Sequence, residues 1–395
     1  MLNNKKRRPF RSYTDINSYN KFLIELDNTQ KKNHSNAANN LNMNNNLNER
    51  YSFFSTEPSV PVFIYPEIKQ QDEEKKKVNI VTEITCIGDL LTITDKYPVD
   101  KNIEYNINVE ALHKIRTPLQ NLNNMIGMKD LKENIVDQLL FYIQNLHNPK
   151  SNDFMHTVIY GPPGTGKTEV AKIIGQIFSG MGILTKGTFK KVTRSDLIAG
   201  YLGQTAIKTR DVIKECLGGV LFIDEAYALG NEEKRDSFSK ECIDTLCESL
   251  SDHKDNLMVI IAGYENDLNH CFFNYNQGLN SRFTWRFSVD EYNAEDLYHI
   301  FIKKVNENGW SLDANNNINV NWFEKNKKHF KYYGRDIETL FAKTKIAHSR
   351  RVFGLDKLVK KCIILEDLNK GFELYLKNEK KQPDKINMIL NSMYC

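Results

Sequence analysis

The segment Gly161-Pro162-Pro163-Gly164-Thr165-Gly166-Lys167-Thr168 fits the spacing G-x-x-x-x-G-K-[ST] in full. Glycines at those points let backbone N–H groups turn inward around a polyphosphate with no side chain in the way. A helix beginning at the lysine adds unpaired N–H donors and a positive dipole end. Lys167 would bring a mobile charge to the β- and γ-phosphates, and the Thr168 hydroxyl would ligate Mg²⁺. Glu169, in the first turn of that helix, is grouped with the nucleotide contacts. About sixty residues later the apolar run Val220-Leu221-Phe222-Ile223 ends in two acids, Asp224 and Glu225. An acid at the carboxyl end of a parallel strand faces the ligand crevice of an open α/β sheet. Asp224 is the expected second metal ligand, and Glu225 is placed to orient and polarise an attacking water. The two segments together predict a Mg²⁺-dependent nucleoside triphosphate hydrolase.

These residues need strands and helices in a set order. Thr157–Tyr160 is a short β-branched run that reads as a buried strand, and Val170, Ile173, Ile174 and Ile177 mark the apolar face of the following helix. Phe189–Thr193, Gly219–Asp224, Leu257–Ala262 and Thr284–Val289 are further strand candidates with helices between them. That alternation predicts an α/β fold, a P-loop NTPase parallel sheet sandwiched by helices. Upstream, Leu131, Ile135, Leu139, Leu140 and Ile143 share a helical face that Asn148-Pro149 should close. Past Tyr292 the strand signal fades, and Asp296–Val305, Trp322–Phe330 and Asp336–Val352 predict a small α-helical lid domain.

The rest of the 395-residue chain divides by composition. Residues 1–60 predict a disordered tail: Asn33–Asn48 holds nine asparagines in sixteen positions, too little apolar surface to offset its ordering entropy. Within it Ile16, Tyr19, Phe22, Leu23 and Leu26 lie at helical spacing. Residues 61–115 form a small region of mixed pattern, with Val78–Ile87 and Leu90–Ile93 strand-like on either side of Gly88-Asp89, and Asp72–Lys77 a solvated loop. The α/β domain is set at 116–290, the lid at 291–375 and a C-terminal tail at 376–395. A net charge of +4 is too small to argue for nucleic acid. No apolar run approaches the roughly 18 residues of a membrane span, and the basic N-terminus lacks the apolar core of a signal peptide. A cytoplasmic protein is expected, with Lys5–Arg8 readable as a nuclear address or as a solvated basic tail. Seven cysteines without a CxxC pair predict reduced thiols.

GPPGTGKT followed by LFIDEA and a helical lid resembles an AAA+ ATPase, and the likeness narrows to the CfxQ/CbbX-like and sporulation-ATPase-like branch. It rests on Met125-Ile126-Gly127-Met128, Val192–Leu197, Gly200–Ala206, Gly218–Leu229, Ala262-Gly263-Tyr264 and Gly278–Phe283. The resemblance implies ATP with Mg²⁺ and a homo-oligomer, a hexameric ring. It implies that Tyr201-Leu202-Gly203 is a pore loop gripping a protein target, and that Arg282, with Arg286 as an alternative, is an arginine finger acting on a neighbouring subunit. It makes Arg335 of Gly334-Arg335-Asp336 a sensor of nucleotide state, and Ile126-Gly127 the linker beside the adenine. The usual polar sensor at the end of the central strand falls within Ala262-Gly263-Tyr264, which lacks Asn or Thr, so Tyr264 or Asn266 would stand in for it. The expected function is an ATP-driven ring motor that remodels a protein target. The alternatives are a nucleic-acid-directed loader, favoured by the basic N-terminus and the Glu324–Lys331 face, or a nucleotide-dependent assembly scaffold.

Overall fold

The computed structural model describes residues 75–147, 153–201, 203–230, 236–313, 318–355 and 360–379, all within the unit Asp72–Cys395. The asparagine-rich tail, the Ile16–Leu26 helix, Lys5–Arg8, Asn148-Pro149 and Leu202 lie outside the described residues.

An amino-terminal layer comes first: β1 (Lys76–Val78), α1 (Ile87–Lys96), β2 (Ile103–Tyr105), α2 (Val109–Lys114) and α3 (Arg116–Asn123). Several expectations fail here. Leu90–Ile93 belongs to a helix, because Ile87, Leu90 and Ile93 stack on one buried face at intervals of three. Gly88-Asp89 does not separate two strands but opens the helix, where the Asp89 carboxylate accepts from the N–H groups of Thr85 (2.9 Å) and Cys86 (3.0 Å). Of the predicted strand Val78–Ile87 only Val78 is in a strand: β1 begins two residues earlier, pairs in parallel with β2 and takes Lys76 and Lys77 out of the solvated loop, while Ile87 opens α1.

The α/β core follows: α4 (Lys129–Ile143), β3 (Thr157–Tyr160), α5 (Lys167–Gly180), β4 (Phe189–Val192), α6 (Arg194–Leu197), α7 (Thr205–Cys216), β5 (Val220–Ile223), α8 (Ser237–Asp252), β6 (Met258–Gly263), α9 (Glu265–Leu268), α10 (Gly278–Arg282) and β7 (Trp285–Ser288). The sheet order is β4-β5-β6-β3-β7, and every pairing is parallel. Side chains alternate between two cores, as the period of a strand requires. Val220 and Phe222 pack with Val170, Ile174 and Phe178 of α5, whereas Leu221 and Ile223 pack with Leu246 and Leu250 of α8. The first core also takes in Leu90, Leu119 and Leu122, so it runs without a break from α1 and α3 into the sheet.

The lid is α11 (Ala294–Glu307), β8 (Ser311–Leu312), α12 (Val320–Asn326), α13 (Tyr333–Arg351), β9 (Cys362–Ile363) and α14 (Leu365–Glu379). Helices α11, α12 and α13 match the predicted ones to about a turn, whereas α14 has no predicted counterpart. The parallel pair β8–β9 has no counterpart in the sequence reading, and neither strand exceeds two residues. Helix α14 runs past residue 375 as far as Glu379. Among the described residues no helix is long and apolar enough to cross a membrane.

Candidate active site

The sheet sets the site. Tyr160, the last residue of β3, is level with Gly263 of β6, and Ile223 of β5 is level with Ile261. Asp224 and Glu225 therefore leave β5 at the edge where Gly161 leaves β3, two strands away, roughly 10 Å at the spacing of paired strands. The acids and the glycine loop share the carboxyl edge of one parallel sheet.

Gly161, Gly164 and Gly166 all have positive φ. The Gly161 N–H donates to the Gly263 carbonyl (3.2 Å), and the Thr165 hydroxyl donates to the Pro162 carbonyl (2.9 Å), which shapes the turn around Pro162 and Pro163. Lys167 opens α5, and its Nζ donates to the carbonyls of Gly161 (2.8 Å) and Pro162 (2.7 Å). Burial pushes its ammonium down to about 8; Asp224 and then Glu225 oppose that shift, and Arg335 adds to it. The Asp224 carboxylate accepts from Lys191 Nζ of β4 (2.6 Å). One hydroxyl at Thr168 and one carboxylate at Asp224 suit Mg²⁺, a hard cation that takes one or two protein oxygens and fills its octahedron with phosphate and water. Among the described residues no cluster of three or more His, Cys, Asp or Glu could hold a metal by itself.

Glu225 has φ 52, a conformation uncommon for a residue with a Cβ, and starts the tight turn Ala226–Leu229. Met128 (φ 57) and Tyr333 (φ 42) share this left-handed backbone. Asn145 (φ 54), after α4, is the fourth such residue among the described ones.

The lid closes directly on the glycine loop. The Gly334 N–H donates to the Gly164 carbonyl (3.1 Å), and a Cβ at Gly164 would lie 3.2 Å from Cβ of Arg335. Tyr292, at the junction of core and lid, donates its hydroxyl to the Thr165 carbonyl (2.9 Å), and its ring lies where a side chain on Gly127 would go. Between them is a cleft of about 820 Å³ lined by Met125, Ile126, Gly164, Glu169, Tyr292 and Arg335. Two lysines hold its rim: Lys132 Nζ donates to the carbonyls of Asn123 (3.1 Å) and Met125 (2.5 Å), and Lys303 of the lid donates to that of Asn124 (3.2 Å). Glu169 is exposed on the rim and pairs with Lys172 (3.2 Å).

Arg282 is not brought to this cleft. It ends α10, just ahead of β7, at the amino edge of the sheet, where the Trp285 indole donates to Phe154 O (3.1 Å). A strand of four residues, roughly 13 Å, separates that edge from the glycine loop of the same chain. There Arg282 Nε donates to Ser251 Oγ (2.7 Å) and Nη1 to Gly278 O (2.8 Å). Arg286 is held too, by the Tyr160 hydroxyl (3.1 Å), Asn280 (2.8 Å) and the face of Phe273 (4.6 Å). Tyr201 stands 75% exposed, and the backbone at Gly203 has nothing within 4 Å of a notional side chain. Tyr264 follows β6 at the catalytic edge with its ring 6.3 Å from that of Tyr227, and Asn266 lies one turn on in α9. Burial raises the Tyr264 phenol, and the charges of Tyr332, Asp267 and Glu225 raise it further.

The sequence reading missed Tyr292, Tyr333, Lys132, Lys191 and Lys303. None stands in a motif: Tyr292, Lys191 and Lys303 meet the site through contacts distant in sequence, and Lys132 through backbone carbonyls seven and nine residues upstream. Only the placement of Tyr292 between the last strand and the first lid helix marked it as a hinge.

A family model described as "ATPase family associated with various cellular activities (AAA)" matches residues 157–290. The chain is 42% identical over 291 residues to a cfxQ-like protein of Acanthamoeba polyphaga mimivirus, covering 73% of this chain and 71% of that protein. It is 31% identical over 279 residues to the protein CfxQ homolog of Galdieria sulphuraria, covering 66% of this chain and 90% of that one. Against stage V sporulation protein K of Bacillus subtilis, identity is 37% over 209 residues, covering 51% of this chain and 64% of that relative.

Proposed function

We infer that this chain, which belongs to the CfxQ-like branch of the AAA family of ATPases, binds ATP in the cleft between the glycine loop and the lid and hydrolyses it. The observation that carries the reading is geometric: the glycine loop after β3 and the acids after β5 leave the same carboxyl edge of one parallel sheet, with the half-buried Lys167 between the loop carbonyls of Gly161 and Pro162.

In this reading the inward-turned N–H groups of residues 161–168 and the Lys167 ammonium hold the triphosphate, leaving the γ-phosphate facing Glu225. Glu225 accepts a hydrogen bond from water and aims it in line with the bond to be cut. Thr168 and Asp224 would hold Mg²⁺, which would supply positive charge to offset that of the phosphates. Lys191 keeps Asp224 in position between turnovers. The purine lies against Met125 and Ile126, and Gly127 lets Tyr292 pack under that loop. Arg335 couples nucleotide state to α13, because the Gly164–Gly334 contact places both sides of the hinge in one backbone bond.

A guanidinium aimed at the developing charge on the γ-phosphate accelerates such reactions by roughly 10³–10⁵. Arg282 lies at the edge of the sheet that a neighbouring copy would bring to this cleft, so the site is completed between subunits of a homo-oligomeric ring. Tyr201, Leu202 and Gly203 would then grip a protein target in the centre of the ring.

Steady-state turnover tests the chemistry. Glu225→Gln should bind ATP at its normal affinity and hydrolyse it at least 10²-fold more slowly, the loss expected when a group acting only in the transition state is removed; undiminished turnover refutes the role. For the ring, mixing inactive Lys167→Ala and Arg282→Ala chains should restore part of the activity. No recovery at any ratio counts against Arg282 acting in trans.

A further inference from the structure

Arg194 belongs to none of the roles above, yet it makes the densest set of side-chain hydrogen bonds near the cleft. Its Nη1 donates to the carbonyls of Ala228 (2.8 Å) and Leu229 (3.2 Å) and to Ser239 Oγ (2.9 Å). Its Nη2 donates to Asp236 Oδ2 (2.6 Å). Asp236 is itself fixed, since it caps α8 by accepting from the Phe238 N–H (3.0 Å) and the Ser239 hydroxyl (2.6 Å). One planar fork thus ties three elements together: α6, the start of α8 and the turn Ala226–Leu229. A lone ion pair this exposed would contribute little. A guanidinium that also satisfies two turn carbonyls has directional bonds that a point charge cannot replace.

The turn it holds is the one Glu225 begins. The Ala228 N–H donates to the Glu225 carbonyl (2.8 Å), and Arg194 holds the carbonyl of the same Ala228. Glu225 has φ 52, so its carboxylate is aimed by a backbone that would relax if the turn were released. On its other side Arg194 opens α6, whose carbonyls at Ser195 and Ile198 accept from Lys208 Nζ of α7 (2.6 and 2.9 Å). Tyr201 emerges between α6 and α7, with the Ala199 N–H pinned to Thr205 Oγ1 (3.2 Å).

We propose that Arg194 is the positioning residue for Glu225, and that its fork links the aim of the catalytic carboxylate to the α6–α7 hairpin that carries Tyr201. The proposal rests on the reading of Glu225 given above. A pull on Tyr201 would reach Glu225 through α6, Arg194 and the turn, with no contact to nucleotide along the way.

The test uses the full chain carrying Arg194→Met, Arg194→Lys or Asp236→Asn, with kcat, KM for ATP and ATP-binding stoichiometry measured for each. A 1 Å misplacement of a catalytic group costs on the order of 10²-fold, so Arg194→Met should lose about that much in kcat, with binding stoichiometry and Kd unchanged. Arg194→Lys should fail to restore it, because an ammonium cannot span two carbonyls and a carboxylate. Asp236→Asn should lower kcat by about tenfold and add nothing to Arg194→Met in the double variant, as expected for members of one network. A kcat within twofold of the parent overturns the proposal, as does a fall in kcat matched by an equal fall in binding stoichiometry, which signals mere unfolding. Should Arg194→Met not fold, Asp236→Asn decides on the same criteria. Glu225→Gln run in parallel separates the two readings: if it keeps turnover, the role of Glu225 fails; if it is silent while Arg194→Met is fully active, only the clamp fails.

Discussion

Replacing Gly164 with alanine tests whether the lid and the glycine loop work as one piece. A Cβ at Gly164 would lie 2.0 Å from the Tyr332 carbonyl oxygen and 3.0 Å from its carbon, both backbone atoms that no rotamer can move. Reaching ordinary contact at 3.4 Å requires the start of α13 to withdraw by about 1.4 Å. That withdrawal breaks the Gly334–Gly164 hydrogen bond, costing about 1 kcal/mol. With φ at +80, the left-handed backbone costs alanine a further 1–2 kcal/mol or so. The expected loss is therefore about 2–3 kcal/mol of stability, and on the order of 10²-fold in ATP turnover as Arg335 leaves the cleft. Gly182→Ala is the matched control: its φ is +82 and nothing lies within 4 Å, so it should show the backbone cost alone and normal turnover. Urea denaturation and an ATPase assay on the two variants settle it. Equal destabilisation with undisturbed turnover in Gly164→Ala would refute the argument that the lid is docked through this contact.

Two further perturbations follow from buried charge. Because Lys167 is pushed down to about 8 when folded and titrates near 10.5 when unfolded, its burial penalises folding fully below pH 8 and less as pH rises towards 10.5. The stability gap between Lys167→Met and the parent should shift by about 1 kcal/mol in the parent's favour between pH 7 and pH 9.5, after discounting the solvent screening of a half-buried group; thermal melts at both pH values check this. In the lid, His348 and Asp367 are each 1% exposed and 2.9 Å apart, with Arg351 donating to both carboxylate oxygens. Burial alone would raise the Asp367 carboxyl, but hydrogen bonds from Arg351 and His348 hold it below its ordinary value, so it stabilises the fold above the normal carboxylate range and loses that effect as pH falls through its own lowered one. Asp367→Ala should cost about 3 kcal/mol near pH 7 by stranding the two partners, and denaturant titration measures it.

What could be read from the sequence was whatever is local. The glycine loop, the strand before it and the acids after β5 are each contiguous, and a parallel sheet with short connections places their ends on one edge by topology alone. Long-range contacts were not legible. Gly164 meets Gly334 across 170 residues, and Tyr292 and Lys303 reach the cleft from elements whose patterns serve the core as well. Helix α1 was misread because Gly88 and the β-branched Thr92, Ile93 and Thr94 imitate a strand, while the Asp89 cap that decides the matter is a single side chain. Arg282 lies away from the glycine loop of its own chain, held by Ser251 and the Gly278 carbonyl, a location that no local pattern around Gly278–Phe283 reveals. Tyr264 follows β6 with its ring 6.3 Å from that of Tyr227, a contact that the string Ala262-Gly263-Tyr264 does not announce.

The chemical identity of the nucleotide recovered from Glu225→Gln reports most directly on the pocket between Lys167 and the acids. Protein incubated with ATP and Mg²⁺, freed of unbound nucleotide and then denatured should release intact ATP, while the parent releases ADP. Recovery of ADP from Glu225→Gln at the parent's rate, or of no nucleotide from either, would contradict the assignment of this edge of the sheet as the site of hydrolysis.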